Sequence, residues 1–187
     1  REMKERVEQL LDGHIKGMWI STFHSACVRI LRRHIDKIGY NNNFVIYDES
    51  DQLSIIKDII KQLNMDEKYY PPKAVKAEIG HAKDSLIVPL DYDRMYRDDF
   101  KKLKIAEVYH LYQKRLQQNN ALDFDDIINK TIELFTLKPH VLEHYQNKFK
   151  YILVDEYQDT NKAQYLMIKM LSKGHRNLCV VGDDDQC

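Results

Sequence analysis

The sequence predicts an α/β fold with a long helical stretch set into it, on three observations. Two apolar strand candidates, Tyr151–Val154 and Asn177–Val181, lie near the C-terminus. A helical pattern over 160–172 separates them, and apolar strands joined by a helix imply parallel pairing in a sheet covered on both faces. The middle of the chain, by contrast, repeats apolar residues at helical spacing almost without interruption.

The elements follow in order. Residues 2–11 read as a helix with Met3, Val7, Leu10 and Leu11 on one side, ended by Asp12-Gly13. Gly17–Thr22 reads as a short apolar strand. A helix runs from Phe23 to about Ile38 on an apolar face of Ala26, Cys27, Ile30, Leu31 and Ile35, and Gly39 stops it. Phe44–Tyr47 is a brief extended piece. Asp48 then caps a helix to Leu63, with Leu53, Ile56, Ile59 and Ile60 inward. Pro71-Pro72 opens a helix to about Lys83, because proline suits the first turn. Another helix covers 98–119. Asp123-Phe124-Asp125-Asp126 starts one more, through Leu137.

The bulk numbers narrow the class. The chain has 187 residues, 43% hydrophobic and 31% charged, which suits a globular protein of one domain or one domain with an insert. No apolar run approaches the ~20 residues of a membrane helix. Three cysteines, none in a Cys-x-x-Cys pair, argue against a disulfide framework or a zinc site and fit a reducing, cytoplasmic setting. The formal net charge is zero, so bulk charge does not announce nucleic acid. Residues 1–40 lean basic and 121–187 lean acidic. The chain opens Arg1-Glu2-Met3, with no initiator Met or signal pattern, and reads as an excerpt.

The chemistry concentrates at the strand ends. Asp155 and Glu156 follow directly on the first apolar run, where open parallel sheets collect ligands. Magnesium needs one or two carboxylates plus substrate phosphates, and a second acid can take a proton from water. The plain alternative is a polar strand end that caps the next helix. The second apolar run ends in Gly182-Asp183-Asp184-Asp185-Gln186, so two strands deliver acids and an amide to one edge. Gly182 is expected to allow a tight turn there.

Val154-Asp155-Glu156-Tyr157-Gln158-Asp159-Thr160-Asn161 resembles motif II (Walker B) of the UvrD/Rep/PcrA family of superfamily 1 DNA helicases. Val180-Val181-Gly182-Asp183-Asp184-Asp185-Gln186 resembles the start of motif III, and Thr22-Phe23-His24-Ser25 resembles motif Ib. Leu122–Asp126 resembles a further family signature, and Arg1-Glu2-Met3 the tail of motif Ia. The resemblance covers essentially the whole chain. It implies an incomplete RecA-like (P-loop NTPase) layer, domain 1A, over 1–39 and 120–187. It implies a helical insert, domain 1B, over 40–119, which in the family helps contact duplex DNA.

By the same resemblance, Asp155 holds the magnesium of Mg-ATP, Glu156 is the catalytic base, and Gln186 senses the γ-phosphate. Thr22, Phe23 and His24 lie along single-stranded DNA. Their chemistry suits that role, although Phe23 could be core and Thr22 a helix cap. The Asp123–Asp126 group could be simply a helix start, where acids suit the dipole.

The parent protein implied is an ATP-dependent 3′-to-5′ DNA helicase of repair or replication, with ATP and Mg²⁺ as cofactors and single-stranded and duplex DNA as partners. Alternatives are the motor of a recombination helicase-nuclease, a non-enzymatic DNA-binding module, or a metal-dependent phosphohydrolase. The last would need more ligands. The sequence departs from the family pattern in one decisive way: none of its 6 glycines sits in a Gly-x-x-x-x-Gly-Lys-Ser/Thr loop. Cys187 stands where the family usually has Ser. Without the phosphate loop, the chain alone is expected to bind ATP weakly and not hydrolyse it. Leu178–Val181 is expected to be an apolar edge open to self-association.

Overall fold

A computed structural model describes residues 2–183, with side chains from 3 onward. Its helices are α1 (Glu2–Leu10), α2 (Phe23–His34), α3 (Glu49–Gln62), α4 (Pro72–Asp84), α5 (Pro89–Met95), α6 (Phe100–Gln118), α7 (Phe124–Leu137), α8 (Pro139–Lys148) and α9 (Lys162–Ser172). Four short strands, β1 (Val45–Ile46), β2 (Ala121–Leu122), β3 (Ile152–Val154) and β4 (Leu178–Val180), form two parallel pairs, β1 with β2 and β3 with β4. The result is a mixed α/β chain, mostly helical, with small parallel sheets. None of the described helices is long and apolar enough to cross a membrane.

Local chemistry sets most helix starts. Asp48 and Asp51 form a reciprocal capping box at α3, as do Asn161 and Gln164 at α9. The Thr22 hydroxyl accepts from the Ser25 N–H at 3.3 Å and opens α2. Prolines occupy the first turns of α4, α5 and α8, where their missing N–H costs nothing. After α2 the chain tightens into a 3₁₀ turn, Ile35–Ile38, and leaves it through Gly39 at φ 88°, a left-handed conformation that glycine adopts freely.

Two apolar clusters result. One joins Cys27, Ile30 and Leu31 of α2 to Ile127, Phe135, Tyr145 and Met167, and also takes in Tyr40 and Phe44. The other joins Ile56, Ile59 and Ile60 of α3 to Val75, Ile79, Tyr109, Tyr112 and Leu116. Strand β2 divides them: Ala121 packs in the second and its neighbour Leu122 in the first.

An ion cluster sits where the clusters meet. Lys83, on α4, is 2% exposed, and its ammonium lies 2.6 Å from Asp123 and 2.9 Å from Asp126. Burial alone would push the lysine pKa down, but the attraction of Asp126 and Asp123 outweighs it and holds the group charged. Tyr112 of α6 donates to Asp123 at 2.9 Å, and Gln113 donates to Asp126 at 3.1 Å. Asp123 also caps α7 by accepting the Asp126 N–H at 2.8 Å. The Asp123–Asp126 group is therefore a helix start and an ionic anchor at once.

Three expectations change. Gly17–Thr22 is not a strand: Trp19 packs edge-on against Phe149 and Tyr145, under the Arg29 guanidinium at 4.1 Å, and no described strand pairs with it. The β3–β4 pair is parallel, as predicted, but it is not covered on both faces among the described residues: β4 is exposed along its length. Val154 is 6% exposed, whereas Leu153 is 77% exposed. The apolar side of α1 is likewise open at Met3 and Leu10.

The ion cluster yields two predictions. Lys83→Met should leave two buried carboxylates without a counter-charge and lower unfolding stability by about 3–5 kcal/mol in urea titration. Adding Asp123→Asn should recover part of that loss. The second concerns Asp125, whose pKa rises to about 6 through burial and the charge of Asp123, against the opposing pull of Lys83. The native state then binds more protons than the unfolded chain between about pH 4 and pH 6, so stability falls as pH rises through that window. Asp125→Asn should be more stable than wild type above pH 6, by about 1 kcal/mol after allowance for partial exposure. That advantage should vanish below about pH 4 in thermal melts.

Candidate functional site

The acidic pair is built by a strand end and a turn. Asp155 and Glu156 leave β3 at its carboxyl end, and both are exposed. Glu156 takes a left-handed conformation, φ 51° and ψ 46°, which turns the chain sharply away from the strand. Tyr157–Asp159 then make a 3₁₀ turn, closed by the Thr160 hydroxyl donating to the Tyr157 carbonyl at 2.7 Å.

Gln158 ties this turn to the end of β4. Its Nε2 donates to Glu156 Oε2 at 2.6 Å, and its Oε1 accepts the Asp183 N–H at 3.1 Å. Backbone bonds extend the join: Val181 N–H to the Val154 carbonyl at 2.8 Å, and Tyr157 N–H to the Val181 carbonyl at 2.9 Å. The two strand ends are thus brought together, as the sequence predicts. Gly182 serves this junction by its lack of a side chain, because a Cβ would fall 2.9 Å from Gln158 Oε1. Gly182 is not left-handed, and a side chain there would displace that amide oxygen, the far end of a flexible side chain, from its bond to the Asp183 N–H. Gln186, with Asp184, Asp185 and Cys187, lies outside the described residues.

The donor set suits magnesium better than zinc. No group of three or more His, Cys, Asp or Glu side chains able to hold a metal occurs among the described residues. Magnesium shared with substrate phosphates and water asks for only one or two carboxylates. Asp155 Oδ1 accepts the Glu156 N–H at 3.1 Å, which fixes the carboxylate while leaving it exposed.

A second group forms at the start of α2. Thr22 is exposed, but its hydroxyl serves as the helix cap and also donates to Ser25 Oγ at 3.0 Å. Phe23 is partly buried against the first apolar cluster, so its ring is largely given to packing. His24 meets Phe124 edge-on at 5.7 Å between ring centroids. Burial lowers the His24 pKa and so favours the neutral imidazole, against a backbone hydrogen bond with Phe124 and the charge of Asp84.

Phe124 is 52% exposed, at the first position of α7. Sequence reasoning missed it because it stands among three aspartates. The signal available was a large ring at a position that a cap pushes toward solvent. Gln158 was missed as well; its signal was an amide two residues beyond an acid that needs holding.

The UvrD/REP helicase N-terminal domain family matches residues 1–187. The ATP-dependent DNA helicase PcrA of Bacillus subtilis (strain 168) is 53% identical over 186 residues, covering 100% of this chain and 25% of that protein. The proteins of the same name from Staphylococcus aureus (strain Mu50) and Staphylococcus epidermidis are each 52% identical, with the same coverage. The chain therefore spans about a quarter of the length of these relatives. With its whole length matched and half its residues identical, the chain belongs to the UvrD/REP helicase N-terminal domain family.

Proposed function

We propose that this chain is part of the motor of an ATP-dependent DNA helicase that moves 3′ to 5′ on single-stranded DNA. The observation that carries the proposal is the join at the β3 and β4 ends, where Gln158 holds Glu156 against the Asp183 backbone. An acid held in place beside a strand end is what activation of a hydrolytic water requires. The names of the relatives, ATP-dependent DNA helicases, support the same reading.

In this reading β3, β4 and the helices around them belong to a RecA-like layer, and the second apolar cluster is the core of the helical insert. The side-by-side strands β1 and β2 support that division, because they bring the two ends of the insert together. ATP with Mg²⁺ is the nucleotide ligand, and the metal would supply positive charge to offset that of the phosphates.

Asp155 is the residue that would hold the metal. Glu156 accepts a proton from, or orients, the attacking water, and Gln158 keeps its carboxylate in one rotamer. His24 and Phe124 offer two rings for base or sugar contact, and the Thr22 hydroxyl, whose proton goes to Ser25 Oγ in the free chain, would turn to donate to a phosphate.

In the full-length protein, Glu156→Gln should lower the ATPase kcat by about 10²- to 10⁴-fold and leave nucleotide affinity within a few-fold. Steady-state hydrolysis and nucleotide titration check this, and an unchanged kcat would remove Glu156 from the reaction. His24→Ala and Phe124→Ala should each weaken binding of a labelled single-stranded oligonucleotide by about 5- to 100-fold, the range expected for one lost base contact. Fluorescence anisotropy across a salt series reads this out. Equal affinity for wild type and both variants would place the strand elsewhere.

A further inference from the structure

Asp84, the last residue of α4, stands between the two groups of the candidate site. Its Oδ1 accepts from Asn161 Nδ2 at 2.6 Å, across 77 residues of sequence. The orientation of that amide is fixed, because Asn161 Oδ1 already accepts the Gln164 N–H at 2.9 Å as the cap of α9. Asn161 ends the turn that begins at Glu156, and the Thr160 bond to Tyr157 makes that turn compact.

On the other side, the Asp84 carboxylate acts electrostatically on the His24 ring. Asp84, Asn161 and His24 line one small cavity together with Asp125 and Asn129. Its volume is about 50 Å³, room for water and far below the several hundred Å³ of a small-molecule site. The cavity is therefore a junction between elements. Asp84 also has a firm base, because its neighbour Lys83 is the ammonium of the buried ion cluster, and Asn129 donates to the Lys83 carbonyl at 3.0 Å.

We infer that Asp84 is a positioning residue that couples the His24–Phe124 pair to the Glu156 turn through Asn161, so that DNA on the rings sets the placement of the acid for hydrolysis. The inference rests on reading the chain as part of a DNA-stimulated ATPase. Its physical basis is continuity. Asp84 and Asn161 are joined by a hydrogen bond, His24 and Asp84 line the same cavity, Asn161 follows directly on the Glu156 turn, and α4, which carries Asp84, touches both α7 and α9. The charge of Asp84 makes its bond to the amide the strong kind. Side-chain networks of this sort change coupling by about 3- to 30-fold when one member is removed.

The test uses the full-length protein and measures ATP hydrolysis with and without saturating oligo(dT), the KM for ATP, oligonucleotide affinity and the melting temperature. Asp84→Ala should cut DNA-stimulated kcat by about 10-fold and leave DNA-independent hydrolysis, KM and oligonucleotide affinity within about twofold. Asn161→Asp alone sets two carboxylates against each other and should also lose stimulation. Adding Asp84→Asn should restore it, because the amide and the acid have exchanged roles and a carboxylate caps α9 as well as an amide does. This rescue keeps the test decisive even where Asp84→Ala folds poorly.

Full stimulation in Asp84→Ala overturns the inference. So does an equal fall in stimulated and unstimulated rates, which marks a purely structural role, and so does failure of the exchanged pair to recover. A wild-type protein whose hydrolysis ignores DNA overturns the underlying functional reading as well, which separates that failure from the others.

Discussion

The Lys83 ammonium, held between Asp123 and Asp126, is the constraint on which the arrangement of this chain depends. The cluster has a leg on each of three helices: Lys83 from α4, Tyr112 and Gln113 from α6, and the two acids at the start of α7. Burying three charges is costly, and apolar side chains of similar volume would fill the space at no greater cost. What they would not supply is direction. The two apolar clusters attract without specifying orientation. An ammonium with two carboxylates and a phenol donor tolerates one register, so the cluster fixes how α4 lies against α7. Its sequence neighbours gain from this. Asp84 follows Lys83, and Phe124 lies between Asp123 and Asp125, so the anchor steadies both the proposed coupling residue and one ring of the candidate site.

The chain uses one chemical group, the carboxylate, in two environments for two purposes. Asp123 and Asp126 are buried and hold a lysine. Asp155 and Glu156 are exposed at a strand end. A buried, paired carboxylate is an architectural element, because nothing else can reach it. An exposed carboxylate whose rotamer is set by a neighbouring amide or N–H is available to a ligand without a large reorganisation. Asp125 lies between these limits: burial and the nearby acids raise its pKa to about 6, and it lines the cavity shared by His24, Asp84 and Asn161.

How much the sequence could reveal follows from how local each feature is. The starts of α2, α3, α4 and α7 were legible because a cap or a proline acts on its own first turn. Strands β3 and β4 were legible as apolar runs. Strand β1 falls inside the extended piece read at Phe44–Tyr47, but β2 was not legible, because two residues carry no period, and α8 was missed although Pro139 marked its start. Gly17–Thr22 misled because apolar content was taken for pairing, whereas Trp19 spends its ring on Phe149 and Tyr145. Asp155 and Glu156 could be read from adjacency to a strand. Lys83 could not, since a lysine on a helix looks like a surface lysine until a partner 40 residues away encloses it. The Asp84–Asn161 contact was hidden for the same reason.

The weakness of the β3–β4 pair gives those hidden contacts their importance. Two strands of three residues are marginal by themselves. Their outer face is open at Leu153, and Leu178 and Val180 are 41% and 43% exposed. Within this chain the sheet alone is a poor platform for a carboxylate that must sit within a fraction of an ångström. The turn beyond it is better restrained. Tyr157 is bonded to Val181, Gln158 bridges Glu156 and Asp183, and Asn161 is held by both α9 and Asp84. Three of these bonds, Tyr157 to Val181, Asp183 to Gln158 and Asn161 to Asp84, reach across to another element, so the position of Glu156 depends on the loops and on α4 as well as on the strand it follows. A site fixed in that way responds when those elements move, as an acid anchored in the middle of a deep sheet would not.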